Sequence, residues 1–230
     1  MFHLALFENT LDFFVKGGIF MAVLLLCSFV ALTVILLRSV ALRRRSVIPP
    51  LIEKEINKIR PGDEPEHLRH LIQDDASALS RIVEVAVRPY NATKQETLEV
   101  VQSRARQEIV RLESGLFILE IVVGISPLLG LLGAVTGLVR VFGNIGNGVM
   151  STSDLKGIAS GIGEALSTTI VGLAIAITAL VAYTYFSRRV ERLAVEMESL
   201  LIDLVEKIFQ GNRGPEAFSP EGNSLEGAAR

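Results

Sequence analysis

One carboxylate stands at the entrance of the longest stretch of this chain that lacks charge. Glu164 is followed by no charged residue until Arg188. A carboxylate beside such an apolar segment is costly and is typical of a functional site. The hydroxyl residues Ser167, Thr168 and Thr169 follow it closely. A carboxyl group and hydroxyls that face a narrow lumen can pass on a proton or replace part of a cation's hydration shell. The pattern predicts a path for a small cation rather than catalysis on a substrate.

The hydroxyls and the carboxylate can also have purely structural roles, and the sequence alone does not decide between these roles and an ion path. A threonine or serine in an apolar helix commonly bonds back to the carbonyl one turn earlier, and this interpretation applies to Thr168. Glu164 can stabilise the start of a helix, where the positive end of the helix dipole favours a carboxylate. The roles are compatible, since a residue at a channel mouth can serve both.

Three apolar segments must position these groups. Half of the 230 residues are hydrophobic while 21% are charged, which indicates separate apolar and polar blocks. Charge is absent from residues 17–37, 121–139 and 165–187. At about 1.5 Å per residue, each window is long enough to cross a hydrocarbon core of about 30 Å. We predict an all-α integral membrane protein in a lipid bilayer, with three transmembrane helices and long cytoplasmic helical extensions.

The basic residues beside these segments predict their orientation. They cluster after the first and third segments, at Arg38, Arg43, Arg44, Arg45, Arg188, Arg189 and Arg192. The opposite flanks carry only Lys16, Arg140 and Lys156. The positive-inside rule therefore places the N-terminus outside and the C-terminus in the cytoplasm. The first apolar run is too long for a signal peptide, so we expect it to remain as a helix.

The composition along the chain predicts its organisation. We expect an amphipathic helix on the outer membrane surface at residues 1–16 and the first transmembrane helix at 17–37. A cytoplasmic helical insert follows at 38–115, then the second and third transmembrane helices at 116–143 and 157–187. A cytoplasmic helix at 188–210 and a disordered tail at 211–230 complete the chain.

Local patterns predict where these elements begin and end. The insert is expected to break at Pro49-Pro50, at Pro61-Gly62 and at Pro89. Apolar residues recur every three or four positions from Leu98 to Leu116, which predicts a helix that runs unbroken into the second span. The third long helix is expected to begin at a cap formed by Ser153 or Asp154.

Other chemistry has little support. Cys27 is the only cysteine, so no disulfide can form within the chain. His67 and His70 have helical spacing but stand in a charged, solvated context without a nearby cysteine, which argues against a metal site. There is no phosphate-binding glycine loop and no nucleophile–base arrangement. We expect no enzyme activity, no cofactor, no bound metal and no nucleic-acid partner.

Small residues recur at near-helical spacing on the second and third apolar segments. The second carries Pro127, Gly130, Gly133, Ala134 and Gly137, and the third carries Gly157, Gly161, Ala165, Thr169, Gly172 and Ala176. Apolar bulk cannot drive helices together in lipid, whereas small residues let backbones approach and gain van der Waals contact. We expect these two helices to pack tightly, within one subunit or between subunits.

Two linked motifs carry a resemblance to a known family. The segment SPLLGLLGAVTGL at residues 126–138 and the segment GIGEALSTTIVGLAIAI at 161–177 resemble the ExbB/TolQ/MotA proton-channel family, and most of all its ExbB and TolQ branch. The resemblance implies a bacterial inner-membrane pentamer of identical subunits around a central pore. The pore would hold the single transmembrane helix of an ExbD- or TolR-like partner with an essential aspartate. Proton flow, with sodium flow as the alternative, would drive work on a periplasmic effector such as TonB or TolA.

The resemblance also carries residues over by position. Thr169 matches the family's hydroxyl on the third span, and Glu164 matches its carboxylate near the start of that helix. Ala134 stands where many members have threonine, and Thr178 stands where a helix-kinking proline is common. These departures leave open whether the ion path depends on Thr169 alone or also uses Ser126, Thr136 or water. They also leave a second function open, a membrane scaffold that assembles partners without moving ions.

Overall fold

The computed structural model describes residues 18–88, 93–145 and 152–210. Within these ranges the chain forms eight α-helices and no β-strand, so the predicted all-α fold is confirmed. The helices are α1 (Gly18–Ala41), α2 (Arg44–Val47), α3 (Pro50–Lys58), α4 (Glu66–Gln73), α5 (Ala78–Ala86), α6 (Lys94–Glu113), α7 (Leu116–Ile145) and α8 (Thr152–Gln210). The outer amphipathic helix at 1–16, the break at Pro89 and the tail at 211–230 fall outside the described residues.

Three of these helices are long and apolar enough to cross a membrane. The candidate spans are Ile19–Ala41, Leu116–Gly143 and a part of α8 that begins at Gly157. The third apolar segment and the amphipathic stripe after it belong to the single helix α8, which ends at Gln210. This continuity confirms the predicted helical extension of the third span.

The described parts of Met1–Val47 and Ala105–Glu196 form one compact unit, which we call the membrane unit. Its buried apolar cluster takes residues from α1, α7 and α8, namely Ala31, Val34, Leu42, Leu116, Leu119, Val122, Ala179, Phe186 and Val190. Helix α1 packs along α7. The three apolar helices therefore form one bundle, with other apolar faces left exposed for lipid or for further protein.

The predicted unbroken helix into the second span is wrong, because the chain breaks at Ser114 and Gly115 between α6 and α7. The guanidinium of Arg38, from the end of α1, occupies the space beside Gly115, where a Cβ atom would collide with it. Arg38 also donates to the carbonyl of Leu112 and to the hydroxyl of Ser114, each at 3.4 Å. Arg38 on α1, a helix distant in sequence, thus donates a hydrogen bond to an unpaired carbonyl in the last turn of α6.

The described parts of Ile48–Arg104 and Met197–Arg230 form the second compact unit, called here the insert unit. Pro50 occupies the first turn of α3, where a missing N–H costs nothing. Gly62 adopts a φ of 94°, which favours glycine, and donates its N–H to the carbonyl of Lys207 at 3.4 Å. Lys207 in turn donates to the carbonyl of Ile56 at 3.2 Å. These bonds join the turn between α3 and α4 to the end of α8.

The start of α8 differs from its prediction. The helix begins at Thr152, so Ser153 and Asp154 lie in its first turn and neither is the residue that precedes the helix. An N-cap residue has non-helical backbone angles, so the cap predicted at these two positions is wrong.

Helix α5 begins with a hydrogen-bonded cap whose contribution to stability should depend on pH. Ser77 accepts from the N–H of Ser80 at 3.2 Å, and Asp75 accepts from the N–H of Ser77 at 2.7 Å and from the hydroxyl of Ser80 at 2.8 Å. Burial raises the pKa of Asp75, but the bonds from Ser77 and Ser80 together outweigh burial and hold that pKa below its usual value of 3.8.

We predict that Asp75→Ala lowers the free energy of unfolding of the insert unit by about 1 kcal/mol or more at neutral pH, because the N–H of Ser77 and the hydroxyl of Ser80 lose an ionised partner. A lowered folded-state pKa stabilises the folded state above the unfolded pKa. The difference between wild type and variant should therefore be full at pH 6–7 and shrink as pH falls below about 3.8. Thermal unfolding followed by circular dichroism across this range measures it. The exposed neighbour Asp74, changed to Ala, is the control, and an effect of equal size there would contradict the assignment.

Candidate ion pathway

Helices α7 and α8 approach each other most closely at two glycines. A Cβ atom built on Gly172 would lie 2.5 Å from the carbonyl oxygen of Ser126 and 3.1 Å from the Cα atom of Gly130. A Cβ atom on Gly130 would lie 2.9 Å from the carbonyl oxygen of Thr168 and 3.0 Å from the Cα atom of Thr169. These neighbours are backbone atoms that cannot rotate away. Only glycine at both positions permits this separation of the two helices.

The other small residues predicted to pack lie along the same two helices. Gly133 faces Thr168 and the Cβ atom of Phe20 of α1, and Gly137 faces Ala165, each so closely that an added methyl group would push these neighbours back. A Cβ atom on Gly161 would collide with a methyl group of Val141. Ala134 is buried. The small-residue face of α7 is thus in contact with α8 in one and the same chain.

The hydroxyl of Thr168 is sealed into this contact. Its side chain is 3% exposed, lies over Gly133 and donates to the carbonyls of Ala165 at 2.8 Å and Gly130 at 3.2 Å. The bond to Ala165 is the local bond that the sequence left open for this residue, and the bond to Gly130 crosses to α7. Thr168 therefore joins the two helices, and its place in an ion path stays a prediction.

Thr169 shares the same acceptor but is more accessible. Its hydroxyl donates to the carbonyl of Gly130 at 3.2 Å, and the side chain is only half-buried. The oxygen of Gly130 thus faces two threonine hydroxyls from α8. Because a hydroxyl has two lone pairs as well as a proton, Thr169 can still accept a hydrogen bond from a group outside this helix pair.

Glu164 and Ser167 lie on a different side of α8 from Thr169, although Glu164 is only about 40° around the helix from Thr168. Ser167 donates to the carbonyl of Gly163 at 2.8 Å, one turn earlier in its own helix. Glu164 is exposed and makes no hydrogen bond or ion pair with another residue of the described ranges. Five residues separate Glu164 from Thr169, which corresponds to a rise of about 7.5 Å and a rotation of about 140°. The four side chains that are adjacent in sequence do not form one cluster.

Thr136, a further candidate for the path, is occupied within its own helix. Its hydroxyl lies 2.9 Å from the carbonyl of Leu132 and 3.0 Å from that of Gly133, and the side chain is half-buried. It lies about 200° around α7 from Ala134. Thr136 therefore does not occupy the place of the hydroxyl that is missing at Ala134.

Ser126 has an unusual environment beside the glycine crossing. Its side chain is 0% exposed, and its hydroxyl forms no hydrogen bond with any described residue. Pro127 lies inside α7 and has no N–H, so the carbonyl of Val123 loses its usual helical partner. The Ser-Pro pair was visible in the sequence, but its burial against α8 follows from the helix register. Ser126 adds an unused hydroxyl to the polar groups near Thr168 and Thr169.

A path built from these groups is discontinuous within one chain. The hydroxyls of Thr168 and Thr169 meet at the helix contact, whereas the carboxylate of Glu164 points elsewhere. A single hydrogen bond spans about 3 Å and cannot join Glu164 to Thr169. Water or a polar group from another chain must connect them if a proton is to pass. His67 and His70 lie on α4, and the described residues contain no group of three or more metal-binding side chains around them.

The chain is similar in sequence to known membrane proteins. Residues 74–199, more than half of the chain, match the model of the MotA/TolQ/ExbB proton channel family. The chain is 34% identical over 180 residues to an ExbB-like biopolymer transport protein of Synechocystis sp., covering 75% of this chain and 68% of that protein. It is 28% identical over 203 residues to the biopolymer transport protein ExbB of Neisseria meningitidis, covering 81% and 89%. An ExbB homologue of Methanothermobacter thermautotrophicus is 26% identical over 219 residues, covering 94% and 75%. These matches confirm the resemblance that the two membrane motifs carry.

We predict that Gly172→Ala destabilises the membrane unit by about 1–3 kcal/mol, because the added methyl group meets the backbone of Ser126 and forces α7 and α8 apart. The measurement is the apparent melting temperature of the detergent-solubilised protein. Gly124→Ala is the matched control on α7, since a Cβ atom there meets nothing within 4 Å. The control should hold or raise the melting temperature because alanine favours the helix. A similar loss of melting temperature in both variants would show that the close approach of α7 and α8 does not determine the stability of the membrane unit.

Proposed function

Because the chain belongs to the MotA/TolQ/ExbB proton channel family, we propose that it is the channel subunit of an ExbB-ExbD-like motor in the bacterial inner membrane. The motor couples the proton motive force to transport or envelope work. The N-terminus lies in the periplasm and the C-terminus in the cytoplasm, in accord with the arginines that follow α1 and the apolar part of α8. The family is one of proton channels and multi-pass membrane proteins, which favours transport over enzymatic chemistry.

The half-buried hydroxyl of Thr169 is the observation that carries this proposal. It lies at the tightest point of two apolar helices, and one side of it is engaged by the carbonyl of Gly130. Glu164 stands about 7.5 Å away along α8, without a partner among the described residues. A carboxylate from a second chain, placed between these two groups, would complete a proton path. An ExbD- or TolR-like single-span helix with an aspartate supplies that chemistry.

This arrangement favours several copies of the chain around a lumen, and the family resemblance implies a homopentamer with the partner helix at its centre. The exposed polar groups of α8 would be costly against lipid but are satisfied in a lumen that several copies enclose. One elementary charge that crosses 100 mV releases about 2.3 kcal/mol, so several protons per step suffice to move one helix relative to a ring. The coupling ion is a proton, with sodium as the alternative. Work would pass to a TonB- or TolA-like periplasmic effector, since the relatives carry the name biopolymer transport.

A scaffold that assembles partners without conducting ions is the second candidate. The observation that favours it is Ala134, a buried methyl group where the resemblance leads us to expect a hydroxyl. A scaffold would need the glycine contact between α7 and α8 but neither Thr169 nor Glu164. The two functions therefore predict different responses to loss of these polar groups.

We predict that Thr169→Val lowers proton flux about tenfold or more in proteoliposomes that hold the chain with its single-span partner, because the variant keeps the shape and removes the hydroxyl. Glu164→Gln should also lower the proton flux. Replacement of the proton gradient by a sodium gradient identifies the coupling ion.

Thr168→Val is the matched control, because it removes a hydrogen bond to the same carbonyl of Gly130 from a side chain that is only 3% exposed. A conducting role for Thr169 requires that flux fall much further in Thr169→Val than in Thr168→Val at equal melting temperature. Thr169→Ser should restore part of the flux. Full flux in both Thr169→Val and Glu164→Gln would favour the scaffold.

A further inference from the structure

Glu120 is an isolated carboxylate in the second membrane helix. It is the only charged residue between Glu113 and Arg140, over a stretch that is otherwise apolar. Its side chain is exposed and forms no hydrogen bond or ion pair with another residue in the described part of the chain. Neither the family motifs nor the crossing of α7 and α8 accounts for it.

The register of the two helices gives the depth of Glu120. Gly137 faces Ala165, Gly133 faces Thr168 and Gly130 faces Gly172, so the numbers of facing residues sum to about 302. Glu120 is then level with about residue 182, and its neighbour Leu119 shares a buried cluster with Ala179. Arg188 lies about six residues further along α8, a distance of roughly 9 Å.

The contacts of the first helix give a similar depth. Arg38 marks the cytoplasmic end of α1 and contacts the chain at Leu112, Ser114 and Gly115. Glu120 lies five residues beyond Gly115 along α7, which is about 7.5 Å deeper. The carboxylate therefore lies deeper in the membrane than Arg38 and Arg188, which mark the cytoplasmic boundary. An ionised group at this depth is costly against acyl chains, so it must face water or protein in the assembled molecule.

The side of α7 on which Glu120 lies is the side turned away from α1. Helix α1 covers Gly133 through Phe20, and Glu120 lies about 140° around the helix from Gly133. On α8, a groove shared with α1 is lined by Ala174 and Thr178. Thr169 lies about 180° around α8 from Thr178 and thus also faces away from α1.

Glu120 shares its stripe on α7 with the position of the missing hydroxyl. Pro127 and Ala134 follow at intervals of seven residues, so all three lie within about 40° of each other. Glu120 and Thr169 belong to the face of the α7–α8 pair that α1 leaves uncovered, whereas Ala134 is buried within the chain. Along this face Thr169 is the outer polar group and Glu120 is the inner one.

We propose that Glu120 is the proton-binding site at the cytoplasmic end of the ion path. Its carboxylate accepts a proton that has passed Thr169 and the partner helix, and then releases the proton to cytoplasmic water. One O–H bond forms on the carboxylate and the same bond breaks on release, so no other reactant is required. This inference rests on the proposed channel function and adds to it a residue on α7.

The first experiment measures proton flux in proteoliposomes that hold the full chain and its single-span partner. Glu120→Gln keeps the shape of the side chain and removes its capacity to carry a proton, so flux should fall about tenfold or more. Glu113→Gln, which changes an exposed carboxylate at the end of α6, should keep flux within about twofold. Unchanged flux in Glu120→Gln overturns the inference. Absence of flux in the wild type would instead count against the channel function itself.

The second experiment tests the environment of Glu120 without measuring activity. In a Cys27→Ser background, Glu120→Cys should react with a charged, membrane-impermeant thiol reagent from the cytoplasmic side. Ile118→Cys is the control, because Ile118 is exposed at nearly the same depth but about 160° around the helix. Selective labelling at position 120 supports an aqueous conduit. Equal labelling at both positions places the carboxylate at an ordinary interface, and no labelling at position 120 places it in lipid or dry protein. Either result overturns the proposal.

Discussion

The backbone contact between Gly130 and Gly172 is the constraint on which the membrane unit depends. Lipid offers helices no hydrophobic reason to associate, so contact must come from close packing and hydrogen bonds. The two glycines bring α7 and α8 so near that a methyl group at either position would meet backbone atoms. The hydroxyls of Thr168 and Thr169 can reach the carbonyl of Gly130 only at this separation. Packing and polar chemistry therefore share one site.

This shared site divides the hydroxyl groups by role. Thr168 is sealed between the helices and satisfies two carbonyls, which makes it a bond between α7 and α8. Thr169 uses the same carbonyl from a more open position and keeps its lone pairs for a further donor. Ser167 is directed to the carbonyl of Gly163 in its own helix. Neighbours in sequence thus have different partners because successive residues on a helix point about 100° apart.

The three membrane spans could be predicted from the sequence, but the contacts between individual side chains could not. Charge-free windows and glycine spacing predicted three apolar helices and a close α7–α8 pair, since both depend on local composition. The break at Ser114 and Gly115 could not be predicted in this way, because the guanidinium that fills it comes from Arg38 on a distant helix. The separation of Glu164 from Thr169 was calculable from helix geometry. The shared acceptor of Thr168 and Thr169 could not be predicted without the register of α7 against α8, which only the structure provides.

A discontinuous path has a physical consequence for an energy-converting channel. If Glu164, Thr169 and Glu120 formed a continuous chain of hydrogen bonds, protons would leak through each subunit and dissipate the gradient. Their positions at different levels along two helices prevent this, because each gap exceeds the reach of one hydrogen bond. In the function proposed above, a polar group on a second chain moves between them and closes the path. Proton transfer would then be coupled to the position of that second chain, which is the condition for converting a gradient into mechanical work.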